Sequence, residues 1–383
     1  MTVIATRSGL CAATAAIATM LATATPAIAE TITVTDLAGR TVEVEKDPQA
    51  IVLGEGRMIY TLALLEEDPF SRVVGWKDDM INFDPDAWRK YVEAFPAAAD
   101  LPNLGSPYSD EWNLESVISL GTEVVFMNLG ELLQAQESGI IEKLEDAGIA
   151  SVFVDFRQEP TANTVPSIQL LGRILDRRDA ADAFTDFYQA EMKKIYAEIE
   201  QIPDEERPVV FIERAAGYNP ANCCGTFGAA NLGRLVDLAG GRNWGSQRFP
   251  GYGGNVSLEA ILVDDPDVII GTGANWAEFN PATTAVLFGY DADPEVVQER
   301  LAGLAARDGF SDLSSVKNGR FHSVYHQFYN SPYHFVAMQA FAKWMHPDRF
   351  EDLDPEATMQ ELHDRFLPIE YSGVFWGTLE GGS

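Results

Sequence analysis

From about Asn163 to Ile202 the sequence keeps a single helical period, and any fold must be arranged around that segment. Ile168, Leu171, Ile174 and Leu175, then Ala183, Phe187, Met192 and Ile195, recur on one apolar stripe. Only Pro166 and Gly172 interrupt it, both near its start. The pattern predicts one helix of about 35 residues, far beyond the globular average. Apolar heptads are not sustained along it, so a strut between two bodies fits better than a coiled coil.

Both flanks alternate between strand and helix signals. Before the segment, "TITVTDLAGRTVEVE" reads as a hairpin around Ala38-Gly39. Strands follow at 51–53, 72–76, 123–128 and 150–156, with helical runs at 58–67, 114–120 and 139–148 between them. After it, strands at 209–213, 267–273 and 320–326 alternate with helices at 229–241, 257–265 and 296–306, ahead of a helical C-terminal region. Such alternation implies parallel sheets built from strand–helix–strand units. The two halves also echo one another. Trp112–Asn128 and Val256–Gly273 both run Leu-Glu, apolar helical turn, break, β-branched strand. The echo aligns Glu115 with Glu259, each at a helix start where a carboxylate meets the positive end of the dipole. The expectation is an α/β chain of two Rossmann-like lobes with central sheets, joined by one long rigid helix, with a cleft between them. Its divisions are 1–29 as a signal peptide, 30–160 and 204–383 as lobes, and 161–203 as the connecting helix.

The leader assignment rests on residues 1–29, which carry one charge, Arg7, then an alanine-rich apolar run ending in Ala27-Ile28-Ala29. That pattern predicts export and cleavage near Ala29/Glu30; a membrane anchor is the alternative, but the Thr-rich run falls short of a span. Cys11 would leave with the leader, and Cys223-Cys224 would remain as a pair in an oxidising compartment. Either a vicinal disulfide or two free thiols fits the sequence. No CxxC or HxxxH accompanies the pair, which argues against zinc. With 27 basic and 58 acidic residues the chain carries a formal charge of -31, which repels nucleic acid and anionic lipid. There is no GxSxG, no HExxH and no phosphate-cradling glycine loop, so nothing points to an enzyme.

In order and spacing, "TVTDLAGRTVEVEKDPQAIV", the 163–202 segment, "LEAILVDDPDVIIG" and "GRFHSVYH" resemble the substrate-binding proteins of ABC importers for iron-siderophores, haem and cobalamin. The resemblance covers nearly everything after the leader. It implies a periplasmic, monomeric receptor without a cofactor of its own, working with a permease–ATPase complex in the inner membrane. It also implies that Glu115 and Glu259 pair with arginines of the permease. One departure is Gly121-Thr122-Glu123, where the family usually has Pro-Asp.

In open α/β sheets ligands sit beyond the carboxyl ends of the strands. Those ends carry Arg57, Trp76, Tyr108, Asn128 and Arg157 in the first half. The second half adds Arg214, Tyr218, Trp244, Tyr252, Trp276, His326 and Tyr329, with Cys223 and Cys224 close behind Tyr218. Rings bury a bulky body and guanidinium forks take carboxylate or catecholate oxygens, which suits a ferric siderophore. Haem or a corrinoid is the alternative, with Tyr218, His326 or Tyr329 as axial ligand. An oxyanion or bare metal ion suits so aromatic a set less well. His346 and His363 read as surface residues.

Overall fold

The computed structural model describes residues 1–3, 30–109, 112–221 and 223–380. Most of the expected leader, Cys11 included, lies outside the described residues. Among the described residues no helix is long and apolar enough to cross a membrane.

The first lobe opens with a hairpin, β1 (Thr31–Thr35) and β2 (Thr41–Glu45), whose Val34 and Val44 point inward. Arg40 fastens it by pairing with Asp36 and donating to the Ser151 carbonyl at 2.5 Å. A parallel sheet follows in the order β4–β3–β5–β6, with β3 at Ile51–Leu53, β4 at Val73–Trp76, β5 at Val124–Asn128 and β6 at Ala150–Val154. The middle strands β3 and β5 are buried along their whole length, the mark of a sheet covered on both faces.

The second lobe repeats that core. β7 (Val209–Glu213), β11 (Val268–Gly273) and β12 (Phe321–Tyr325) are parallel neighbours in the order β7–β11–β12, matching β3–β5–β6. β9 (Arg242–Asn243) adds a parallel partner to β7. Three short antiparallel strands escaped the sequence reading. β8 (Gly225–Phe227) and β10 (Gly253–Asn255) extend one edge, and β13 (Trp376–Thr378) pairs with β12 at the other. All three are only three residues long, too short for a period to show.

The single strut is not present. Residues 160–199 form two helices, Pro160–Ile174 and Arg178–Ile199. Thr161 and Val165 flank the same groove as Tyr188, Met192 and Tyr196, so the two run antiparallel as a helical hairpin. The break is a Schellman closure at Leu175–Arg177, where the Arg177 N–H reaches the Gly172 carbonyl at 2.8 Å. Asp176 takes the left-handed conformation (φ 55°) that aspartate tolerates better than most residues. Gly172 allows the turn to close, because a Cβ there would lie 2.5 Å from Ala181 Cβ. Gly172→Ala should therefore cost about 1–3 kcal/mol through overpacking. Urea unfolding checks this, and an unchanged midpoint would mean the hairpin has slack.

Helix His334–Met345 packs on the second of these helices through Phe187–Phe335 and Tyr188–His334 contacts and a Gln339–Glu191 hydrogen bond of 2.9 Å. One apolar cluster runs from Val34 through both sheets to Phe375, so the lobes share a core instead of being held apart. His363 is buried in it, accepting from the Tyr290 hydroxyl, and not on the surface as its sequence context suggested. His346 is half-buried against the Gly240 carbonyl.

Candidate functional site

The carboxyl ends of both sheets face each other. From the first lobe come Glu55 and Arg57 after β3, Asn128 ending β5, and Arg157 after β6. Asp155 sets the last of these by accepting N–H bonds from Arg157, Gln158 and Glu159, which also starts the helix at Pro160. From the second lobe come Arg214, Ala215 and Tyr218 after β7, Trp276 after β11, and His326 to Asn330 after β12.

A cluster of buried charges joins the two sides. Arg57 donates to Asp79 (2.7 Å) and Glu55 within its own lobe, and to Gln327 (3.0 Å) and the Tyr329 hydroxyl (2.6 Å) across the cleft. Arg157 donates to Glu55 at 2.6 Å, and Asn330 reaches the same carboxylate from the far lobe at 2.8 Å. Burial opposes the charge on Glu55, but the Arg157 and Arg57 guanidiniums outweigh it and hold its pKa at about 2. Nearer the surface Arg89 clasps Asp86, Glu278 and Asp291. Trp276 and Gln327 both donate to the Phe83 carbonyl.

Beside this cluster lies a cavity of about 220 Å³ lined by Arg57, Phe83, Ala215, Tyr218, Trp276, His326, Gln327 and Tyr329. Larger grooves of about 400 and 520 Å³ lie along the helices, away from the strand ends. His326 stands in an aromatic cage, its ring 5.1 Å from Trp276 and 4.7 Å from Tyr329. Burial, reinforced by the Arg57, Arg214 and Arg157 charges, pushes its pKa down to about 3, so the ring is neutral. Its Nδ1 contacts the Thr272 hydroxyl at 2.8 Å, and its Nε2 has no partner among the described residues. Arg214 lies over the Tyr252 ring and, among the described residues, its guanidinium has no carboxylate and no hydrogen bond.

Five sequence candidates thus line the cavity: Arg57, Tyr218, Trp276, His326 and Tyr329. Arg57 does so with most of its donors already engaged. Arg214 and Tyr252 stack on one another on the second-lobe side and are not among the lining residues. Trp76 does not reach the cleft; it is the last residue of β4 and packs into the core on Phe70 and Trp88. Trp244 is also a core residue. Its N–H binds the Val210 carbonyl near the amino end of β7 and its indole donates to Asp264. Tyr108 packs in a separate first-lobe cluster near Gly54 and is not in the cavity wall. Cys223 and Cys224 meet sulfur to sulfur beside the Glu213 carboxylate and do not line the cavity either. Phe83 and Gln327 were missed. Phe83 ends a short helix in an acidic stretch without period, and Gln327 lies between two recognised candidates.

Glu115 and Glu259 occupy corresponding places. Each is exposed in the first turn of the helix leading into the central strand of its sheet, capped by Asn113 and Ser257 respectively. Neither forms an ion pair among the described residues.

The family model described as periplasmic binding protein matches residues 81–325. The chain belongs to that family. A TroA-like periplasmic binding protein, FepB from Veillonella parvula, is similar over 91% of this chain and 100% of its own, at 27% identity and a TM-score of 0.82. The molybdate-bound MolA of Haemophilus influenzae covers 89% and 99% at 18% identity and a TM-score of 0.66. Helicobacter pylori CeuE with Ni(II) bound covers 88% and 95% at 17% and 0.61. No curated protein matches the chain. This is therefore a periplasmic solute-binding protein of the ABC-importer class and not an enzyme.

Proposed function

We propose that this periplasmic binding protein captures a ferric siderophore between its lobes and delivers it to an ABC permease. One observation carries the reading. Arg214, a cleft arginine without a carboxylate partner among the described residues, stands beside a cavity of phenol, indole and neutral imidazole groups. Anionic chelate oxygens would satisfy the guanidinium, and the rings would bury the ligand body. The cavity of about 220 Å³ is smaller than the ~300–1,000 Å³ of typical ligand sites, so entry requires the lobes to part at the Arg57–Tyr329 and Arg57–Gln327 bridges. Delivery would use Glu115 and Glu259, one on each lobe, against cationic side chains of the permease. The adjacent cysteines, as a disulfide, would stiffen the loop that carries Tyr218.

Titrating the purified protein with ferric tris-catecholate and ferric trihydroxamate complexes, read by tryptophan quenching, tests the reading. Submicromolar binding is expected, weakened at least tenfold in Arg214→Ala with no change in melting temperature. A Soret band in protein taken from its periplasm would assign haem instead. No response to either ferric complex, or unaltered affinity in Arg214→Ala, would sink the proposal.

A further inference from the structure

Among the described residues, one trio of metal-ligating side chains brings its donor atoms within 4.8 Å of one another: the Glu213 carboxylate and the sulfurs of Cys223 and Cys224. None of the three lines the ligand cavity. Glu213 ends β7, Cys224 immediately precedes β8, and both are 2% exposed, whereas Cys223 is open to solvent. Two donors are thus fixed in the protein and the third faces the entrance.

The backbone holds the buried donors in place. Glu213 pairs with Thr226 across β7 and β8, and Cys224 exchanges N–H···O bonds of 3.1 and 2.9 Å with Val256. Arg307 donates to the two Glu213 oxygens at 2.7 and 2.6 Å, which balances the charge and leaves each oxygen a lone pair to give. Arg214, with no carboxylate among the described residues, runs past Gly225, the residue after Cys224. Its Nε is 3.5 Å from the position a Cβ would take there. A cation without a counter-charge therefore stands against the cysteine segment.

We infer that Cys223 and Cys224, once reduced, form with Glu213 a site for a soft monovalent cation, the cuprous ion, and that the disulfide keeps this site shut. Thiolates select soft ions, and two sulfurs with one oxygen suit an ion that accepts two or three donors. Zinc in closed protein sites almost always takes four, and no further histidine, cysteine or carboxylate joins the trio among the described residues. The site is independent of which solute the cleft takes.

Opening it is an exchange with an external dithiol. One thiolate of the dithiol attacks the exposed Cys223 sulfur, which breaks the Cys223–Cys224 bond and expels the Cys224 thiolate. The second thiol then attacks the mixed disulfide and frees Cys223. The dithiol leaves as a disulfide, having passed two electrons and two protons to the pair. Binding of Cu(I) by the two thiols releases two protons and leaves one net negative charge, which Arg214 offsets.

Competition for Cu(I) against the chelator bicinchoninate, without oxygen, tests the site on protein purified from its periplasm, before and after reduction with a phosphine. Thiol titration should count two more thiols after reduction than before. The reduced protein should hold one Cu(I) and the oxidised protein none. Cys223→Ser alters an exposed side chain and should weaken Cu(I) binding by at least about a hundredfold. X-ray absorption at the copper edge should find two sulfurs and one oxygen; sulfurs alone would remove Glu213 from the site. Reduced wild type that yields Cu(I) as readily as Cys223→Ser overturns the site. Zn(II) held as tightly as Cu(I) overturns the choice of ion. No gain of thiols on reduction, or Cu(I) held equally before it, overturns the disulfide gate.

Discussion

Glu55→Gln should lower stability at neutral pH by about 3 kcal/mol, because the carboxylate is the one anion shared by the Arg57 and Arg157 guanidiniums. It accepts from Arg57, Arg157 (2.6 Å), Asn330 (2.8 Å) and Asn128 (3.3 Å), so four groups from two lobes converge on two oxygens. Holding its pKa at about 2 against an ordinary value of 4.5 corresponds to roughly 3 kcal/mol of preference for the charged form. The glutamine keeps the shape and leaves two buried cations with one fewer counter-charge, the costly way to break such a cluster. Because the folded pKa is depressed, this contribution is complete above the unfolded value and disappears as pH falls from about 4.5 toward 2. Urea unfolding at about pH 7 and at about pH 2.5 separates the cases. The deficit of the variant should be near 3 kcal/mol at the first and small at the second. A loss below 1 kcal/mol at pH 7 would show that the lobes are held together elsewhere.

That bridge also marks the limit of what the sequence discloses. Strand–helix alternation and the echo between Trp112–Asn128 and Val256–Gly273 were enough to align two similar lobes, and the aligned strands β5 and β11 are both inner strands of their sheets. The carboxyl-end rule then found Tyr218, Trp276, His326 and Tyr329, because all four lie beyond a strand's last residue. Trp76 and Trp276 look alike in sequence, each a tryptophan at a strand end. Trp76 is still inside β4 and faces the core, while Trp276 lies past the end of β11 and reaches the cavity. A register difference of a few residues decides between wall and core, and periodicity does not resolve it. Arg57 lines the cavity, but its partners Gln327 and Tyr329 come from the other end of the chain, so its role as a bridge had no local signature. Residues 168–175 and 183–195 each keep a helical period with no Gly or Pro between them, which is why the hairpin read as one helix. The Asp176-Arg177-Arg178-Asp179 run was the only local sign of the turn.

Asp84 should bend the stability profile in the opposite sense to Glu55. It is wholly buried at the seam between the lobes, where the hydroxyls of Tyr60 from the first lobe and Tyr325 from the second both donate to one carboxylate oxygen. Burial raises its pKa to about 7; the tyrosine bonds resist that rise and Asp86 nearby adds to it. A carboxyl raised in the folded state keeps its proton where the unfolded chain has lost it. Stability attributable to Asp84 is therefore greatest below its ordinary pKa of 3.8 and drains away up to about pH 7, by about 4 kcal/mol in all. Asp84→Asn retains an oxygen to accept both hydroxyls and has no proton to lose. Its stability relative to wild type should climb by about 4 kcal/mol between roughly pH 4 and pH 7 and stay level above. In the Glu55→Gln background the climb should be unchanged, since burial, Tyr325, Tyr60 and Asp86 set the Asp84 titration and Glu55 does not. A difference between Asp84→Asn and wild type that does not vary with pH in that range would mean the carboxyl is ionised throughout. The two tyrosine hydroxyls would then be strong enough to hold a bare charge at the seam.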